Sequence, residues 1–178
     1  RKRGNFTMES MEARMVKLYA RNNNHVALHA IPGHFATSHS HINFYIDMTS
    51  LKTRANEAQE VAKSLAGDYV NSTVVDTIVC MDGTEVVGAY LAQEFEKRGF
   101  RNTNLHDTIY VVTPEYNANN QLIFRDNTIP AIKGKNVILL LATTTTGLTV
   151  RRSLECVQYY GGTVRGISSI FSTVKKVG

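Results

Sequence analysis

The sequence lacks the features that are typical of secreted and membrane proteins. Its 178 residues include only two cysteines, Cys80 and Cys156, which lie in apolar surroundings and form no Cys-x-x-Cys motif. Free core thiols in a reducing compartment are therefore favoured over a disulfide. No apolar run approaches the roughly 18 residues that span a bilayer, and no signal-peptide core lies near the start. We expect a soluble, cytoplasmic protein that does not bind membranes.

Internal repeats, low-complexity tracts and linkers rich in proline, glycine or serine are also lacking. With 43% hydrophobic residues, the chain is long enough for one sizeable core but not for two. We predict one domain over residues 1–178. It comprises N-terminal helices and a hood segment at 7–67, followed by a core of βαβ units at 74–171.

The formal net charge of +5 favours anionic ligands without identifying one. The basic tripeptide Arg1-Lys2-Arg3 contributes to this charge and is interpreted as a solvated tail. A nucleic-acid-binding arm would be expected to have interleaved aromatic residues and a second basic cluster, and the sequence shows neither. A nucleic acid is therefore not the expected partner.

Hydrophobic periodicity predicts two amphipathic helices in the N-terminal part. One repeats apolar residues at Met8, Met11, Met15, Leu18 and Tyr19. The other covers residues 54–66 and ends at a glycine. Both helices are expected to pack an apolar face against the core.

The remainder of the chain predicts an α/β fold with a parallel sheet. Strands are indicated at 74–80, 108–113, 136–141 and 163–171, and helices at 85–97 and 148–160. Two βαβ units imply right-handed crossovers and helices on both faces of the sheet. Ligands bind such sheets at the carboxyl ends of the strands.

A hydroxyl-rich turn follows the apolar strand at 136–141. Its glycine lets the backbone approach a ligand closely, and the next helix directs unpaired N–H groups to the same point. Phosphate binding and an ordinary capped strand-to-helix turn both account for this pattern. The candidate phosphate-binding residues are Thr143, Thr144, Thr145, Thr146, Gly147, Leu148 and Thr149.

A polar segment at 114–120 lies between strand-like residues on both sides. It predicts either a mobile flap over an active site or an ordinary exposed hairpin. Because the tip lacks apolar anchors, residues 117–120 are expected to be among the most mobile in the chain.

The hydroxyl-rich turn resembles the loop that binds phosphoribosyl diphosphate (PRPP) in type I phosphoribosyltransferases. Thr145-Thr146-Gly147 and Thr149 fit that loop. The family's two acidic residues, which hold the ribose hydroxyls and support magnesium, correspond here to Leu141 and Ala142. The resemblance implies a single-domain, Rossmann-like type I phosphoribosyltransferase fold with a hood and a β-hairpin flap.

The segment 33–47 resembles the N-terminal segment of orotate phosphoribosyltransferases. By that resemblance Phe44 and Tyr45 would lie beside a nucleobase, where aromatic faces suit any planar base. A half-buried strand would account for the same two residues. Thr37 occupies the position of the family's base-contacting lysine.

Residues 80–88 resemble the loop that grips the leaving diphosphate. The candidates there are Asp82, Gly83, Thr84 and Glu85. Two carboxylates would repel a diphosphate by a few kcal/mol unless a metal intervened. Glu85 could instead complement the helix dipole. In the flap, where the orotate enzymes carry lysines and a histidine, only Arg125 provides a positive charge.

The resemblance implies transfer of a phosphoribosyl group from PRPP to a nucleobase, orotate-like, with Mg²⁺ as cofactor if the chain is catalytic. It also implies a homodimer. The alternative is a non-catalytic sensor or regulator that binds a nucleotide, PRPP or a simple phosphate ester. The missing acidic pair, flap lysines and base-contacting lysine favour reduced or lost activity. No nucleophile with an adjacent base supports a phosphatase-like enzyme.

A cluster of histidines lies within a short N-terminal stretch. Its pairs could chelate a metal if His25 and His29 were helical and His39 and His41 were extended. His34 is the fifth member. No cysteine or carboxylate set completes a metal-binding signature, and turn or surface histidines near an anionic ligand are the favoured interpretation.

Overall fold

The computed structural model describes residues 16–20, 23–36, 41–143 and 148–171. For the described residues up to 47 it describes only the backbone. In chain order the elements are β1 (Val16–Ala20), β2 (Asn23–Ala36), β3 (His41–Asp47), α1 (Thr49–Thr53), α2 (Ala55–Ala66), β4 (Thr77–Cys80), α3 (Glu85–Lys97), β5 (Tyr110–Val112), β6 (Glu115–Tyr116), β7 (Leu122–Ile123), a 3₁₀ turn (Ile129–Ala131), β8 (Asn136–Thr143), α4 (Leu148–Tyr159) and β9 (Thr163–Phe171).

The N-terminal segment contains an antiparallel sheet of three strands in the order β1-β2-β3. The predicted first helix is wrong over Leu18 and Tyr19, which lie in β1. The cause is pairing with β2, in which Val16 lies opposite Ala30, because such ladder pairing overrides a local helical pattern. The rest of that predicted helix lies outside the described residues.

The second predicted helix is confirmed as α2. It begins at Ala55 because Arg54 has an extended backbone, with φ −85° and ψ 120°. Ala58, Val61 and Leu65 form its buried face, as the spacing predicts.

Four parallel strands in the order β5-β4-β8-β9 form the central sheet. The units β4-α3-β5 and β8-α4-β9 confirm both predicted βαβ units, and with them the α/β class. Helix α3 matches the predicted range 85–97. Each predicted strand forms, although β4 and β5 are shorter than their apolar runs.

Hydrophobic cores cover both faces of this sheet. Helices α2 and α3 pack on one face, against Ile78, Ile138 and Leu140. On the other face, α4 packs against strand residues that include Leu139 and Leu141. Strand β8 is therefore buried on both sides, which explains its uninterrupted apolar sequence.

Helix α3 lies very close to β4. A methyl group added at Gly88 would overlap the Cys80 thiol, so glycine is needed at this contact. Cys80 and Cys156 are both free and buried, which confirms the prediction of core thiols.

The polar segment after β5 forms a hairpin in which β6 pairs with β7. Its turn is built around Asn117, whose Oδ1 accepts the N–H groups of Asn119 and Gln121, each at 2.9 Å. The predicted hairpin is thus present, but its first strand is β6, because the residues at 110–112 pair in the central sheet. The mobility of its tip stays a prediction.

A buried carboxylate organises the edge of the central sheet at which β4 and β8 begin. Asp76 is fully buried just before β4, and its two oxygens accept four hydrogen bonds. Oδ1 accepts from the N–H and the hydroxyl of Thr103, while Oδ2 accepts from the N–H and the side-chain amide of Asn136. Asp76 therefore links the starts of β4 and β8 to the loop that precedes β5.

Among the described residues, no helix is long and apolar enough to cross a membrane.

Candidate phosphate-binding site

The order of the strands predicts a ligand-binding crevice at the carboxyl edge of the sheet. From β4 the chain crosses through α3 to β5 on one side, and from β8 it crosses through α4 to β9 on the other. The crossovers diverge between β4 and β8, which is where open α/β sheets bind their ligands. The turns after these two strands are the turns in which the sequence predicts anion binding.

The turn after β4 is tight and left-handed. Asp82 and Gly83 have φ angles of 57° and 74°, and the Thr84 N–H donates to the Met81 carbonyl at 3.2 Å. Gly83 suits this conformation because it has no side chain. Helix α3 begins immediately afterwards without a side-chain cap, so its first N–H groups and its positive dipole end are directed at the crevice.

Two predicted site residues use their side chains to hold this turn. Thr84 is fully buried, and its hydroxyl donates to the Met81 carbonyl at 2.7 Å. Glu85 accepts a hydrogen bond from the Thr113 hydroxyl at 3.1 Å, which ties the end of β5 to the start of α3. These contacts leave the backbone of the turn, rather than the Thr84 hydroxyl, to meet a ligand.

Lys52 is a site residue that the sequence reasoning missed. From α1, its Nζ donates to the Asp82 carbonyl at 3.0 Å and lies 3.8 Å from the position of a Cβ on Gly83. An ammonium group at this turn attracts anions and offsets the nearby carboxylates. No local pattern could have indicated it, because the contact joins residues 30 positions apart.

The end of β8 carries no carboxylate toward the crevice. Leu141 and Ala142, at the positions of the family's acidic pair, are 0% and 2% exposed and belong to opposite cores. Thr143 follows, and its buried hydroxyl has no hydrogen-bond partner among the described residues. Thr143 is the first of the predicted phosphate-binding residues, so this orphaned hydroxyl lies at the start of the predicted loop.

The structure brings only part of the predicted loop into view. Thr144, Thr145, Thr146 and Gly147 lie outside the described residues. Leu148 and Thr149 form the first turn of α4, where the Thr149 carbonyl accepts the Ser153 hydroxyl at 2.6 Å. The predicted strand and helix therefore occur in the expected order, with α4 starting at the carboxyl edge of the sheet.

The structure describes the contacts of the flap candidate, whereas it describes only the backbone of the two base-pocket candidates. Arg125 follows β7, and its Nε donates to Glu115 Oε2 at 2.7 Å, so its charge is neutralised within the hairpin. Phe44 and Tyr45 lie on β3 opposite Pro32 and Ile31. Their role beside a base stays a prediction.

Metal and thiol chemistry find little support in the described part of the chain. No group of three or more His, Cys, Asp or Glu side chains there could hold a metal ion. Asp82 and Glu85 alone do not fit a magnesium site. His25 and His29 lie on β2, where four residues span about 13 Å, too far to chelate one ion.

Cys80 ends β4 close to the turn but is not a nucleophile at neutral pH. Burial, and to a lesser degree the Glu85 carboxylate, raises the pKa of its thiol to about 12. The reactive thiolate is therefore scarce under physiological conditions.

Solved structures show which known architecture this is. UMP synthase from Leishmania donovani is similar with a TM-score of 0.56 and 18% identity, over 79% of this chain but 28% of that one. Adenine phosphoribosyltransferase from Thermoanaerobacter pseudethanolicus gives 0.54 and 15%, over 93% and 88% of the two chains. Orotate phosphoribosyltransferase from Mycobacterium tuberculosis, in complex with inorganic phosphate, gives 0.50 and 15%, over 80% and 75%.

The chain has the type I phosphoribosyltransferase fold. No protein-family model and no curated protein matches its sequence. At these identities the similarity shows the phosphoribosyltransferase fold alone, and function has to be argued from the site.

Proposed function

We propose that this chain binds a phosphorylated ribose compound, such as a nucleotide or a sugar phosphate, in the crevice between β4 and β8. The turn at Asp82 and Gly83, the N-terminus of α3 and the Lys52 ammonium group all present positive charge or N–H groups there. A protein of the same fold was crystallised with inorganic phosphate.

The observation that carries this proposal is the burial of Leu141 and Ala142 in opposite cores. A carboxylate at either position would be enclosed by hydrocarbon, so neither position holds ribose hydroxyls or magnesium. The absence of carboxylates at these two positions does not affect contacts with the phosphate group of a ligand. It does remove charge-assisted hydrogen bonds to the ribose hydroxyls. Binding by a sensor or regulator therefore fits the site better than group transfer.

Phosphoribosyl transfer from PRPP to a nucleobase, orotate-like, is the second candidate. The fold favours it, and Asp82 and Glu85 place two carboxylates at the turn that resembles the diphosphate loop. Because these two groups alone do not fit a metal site, we derive no magnesium-dependent step. A homodimer and a cytoplasmic location also belong to this proposal.

Lys52→Gln is expected to weaken inorganic phosphate binding by about tenfold, because it removes a positive charge at the turn. Isothermal titration calorimetry at low ionic strength would measure this affinity. Lys97→Gln is the matched control, since Lys97 lies near the opposite end of α3 and pairs with Glu94 at 3.7 Å. Equal affinities for the two variants would show that phosphate does not bind beside Lys52.

We expect orotate phosphoribosyl transfer to be undetectable or very slow. Without carboxylates at Leu141 and Ala142, each ribose hydroxyl loses hydrogen bonds worth about 1.5–3 kcal/mol. PRPP with Mg²⁺ should therefore bind little better than ribose 5-phosphate. Transfer would be assayed with orotate, uracil and purine bases. A strong preference for PRPP together with turnover near one per second, the low end of ordinary enzymes, would establish the second candidate instead.

A further inference from the structure

A groove with a volume of about 610 Å³ lies between the hairpin and α4. The hairpin contributes Tyr116, Asn120 and Gln121 to its walls, and the helix contributes Arg152, Glu155 and Tyr159. Small-molecule sites in proteins have volumes of about 300–1,000 Å³, aromatic walls and a few polar groups. The groove has each of these properties.

This groove is separate from the phosphate site. Helix α4 starts at the crevice with Leu148, but the groove uses the side of the helix from Arg152 to Tyr159. At 1.5 Å per residue, Tyr159 lies about 16 Å along the axis from the start of α4. A ligand that stacks on Tyr159 therefore lies about three helical turns from the start of α4.

The aromatic wall is held in place from behind. Tyr160 makes edge-to-face contacts with Phe124, at 5.4 Å, and with Tyr159, at 5.0 Å between ring centres. Tyr159 as a whole is nevertheless 82% exposed, and Tyr116 across the groove is 56% exposed. Exposed rings on a fixed support provide surfaces on which a planar ligand can stack.

The polar groups of the groove nearly cancel in charge. Arg152 and Glu155 lie one helical turn apart on the same wall, and the amides of Asn120 and Gln121 lie on the hairpin. Gln121 is positioned by Asn117, whose Nδ2 donates to its Oε1 at 3.2 Å. The amides and the two opposite charges provide both donors and acceptors, so they match a neutral ring with a hydrogen-bonding edge better than a simple anion.

We propose that this groove is a second binding site, for a neutral planar heteroaromatic compound of nucleoside size. The ring stacks against Tyr159, and its edge bonds to the amides and to Arg152 and Glu155 on α4. The site is independent of the phosphate-binding function proposed for the crevice. Its ligand bridges the hairpin and the helix that begins at the crevice.

Adenosine is a suitable probe because it is neutral, carries a planar heteroaromatic base and has no phosphate for the crevice to bind. We expect saturable binding, followed by NMR shifts of hairpin and α4 amides. Tyr159→Ala should weaken it by about five- to hundred-fold, the range found when a stacking aromatic is removed. Tyr159→Phe keeps the ring and should bind within about twofold of the unchanged chain. Since Tyr159 is mostly exposed, both variants are expected to fold.

Two further measurements test whether adenosine binds in the groove rather than elsewhere. Leu105→Ala removes a fully exposed apolar side chain away from the groove and should leave adenosine affinity unchanged. Saturating inorganic phosphate should also leave it unchanged. The proposal is overturned if adenosine does not bind up to about 5 mM, well above ordinary ligand affinities. It is equally overturned if Tyr159→Ala binds normally or if phosphate displaces adenosine.

Discussion

Leu141→Asp is expected to lower the free energy of unfolding by at least about 4 kcal/mol, because it removes a buried side chain and encloses an unpaired carboxyl group. Leu141 is fully buried and packs with Val79, Met81 and Phe124. The variant restores one acidic residue at the position where related loops carry it. It is nevertheless not expected to gain affinity for PRPP and Mg²⁺, since the new group faces the core.

Urea denaturation followed by tyrosine fluorescence would measure this change, with PRPP titration performed in parallel. Leu105→Asp is the matched control, because the same substitution at a fully exposed leucine should change stability by no more than about 0.5 kcal/mol. A stable Leu141→Asp protein with enhanced PRPP affinity would mean that the end of β8 turns toward the crevice. The proposal of binding without transfer would then be lost.

Asp76→Asn is expected to lower the free energy of unfolding by about 3–5 kcal/mol. The substitution replaces one of the two accepting oxygens with an NH₂ group, which faces hydrogen-bond donors and cannot accept from them. The carboxylate accepts from Thr103 on one oxygen and from Asn136 on the other. The substitution keeps the shape of the side chain, so the loss reports hydrogen bonding rather than packing. Asp126→Ala, at an exposed position, should have little effect.

The loss at Asp76 should depend on pH in a defined direction. Burial alone would raise the pKa of Asp76, but the hydrogen bonds from Asn136 and Thr103 outweigh it and hold the pKa below the ordinary value. The stabilisation is therefore complete above the unfolded pKa of about 3.9 and is lost as pH falls through the lower folded value. The difference between the unchanged chain and Asp76→Asn should shrink below about pH 4. A difference that stays constant into acid would show that Asp76 is not the charged group responsible.

The central fold could be predicted because its local signals agree with its tertiary structure. Strand β8 is apolar from Val137 to Ala142 since both faces are buried, and α3 ends before Gly99, which adopts a φ of 77°. At β1 the local pattern and the tertiary pairing disagree. A spacing that includes Leu18 and Tyr19 suggests a helix, whereas the ladder with β2 makes a strand.

The candidate site was predictable only in part, for a similar reason. Glycine and hydroxyl residues mark a turn through local backbone requirements, so Gly83 could be recognised from the sequence. Lys52 and the Asp76 network join residues that lie far apart along the chain, and no spacing rule relates them. The inward packing of Leu141 and Ala142 follows from which helices cover each face of the sheet.

The two buried thiols are protected by different parts of the molecule. Cys80 lies under α3 at the close contact with Gly88, so a reagent reaches it only when the helix leaves the sheet. Cys156 lies in the wall of the groove, and its thiol donates to the Leu122 carbonyl of the hairpin at 3.5 Å. Burial raises the pKa of Cys156 to about 11. Opening of the hairpin alone would expose Cys156 but not Cys80. Thiol labelling of Cys156 would therefore report opening of the hairpin, and labelling of Cys80 would report separation of α3 from the sheet.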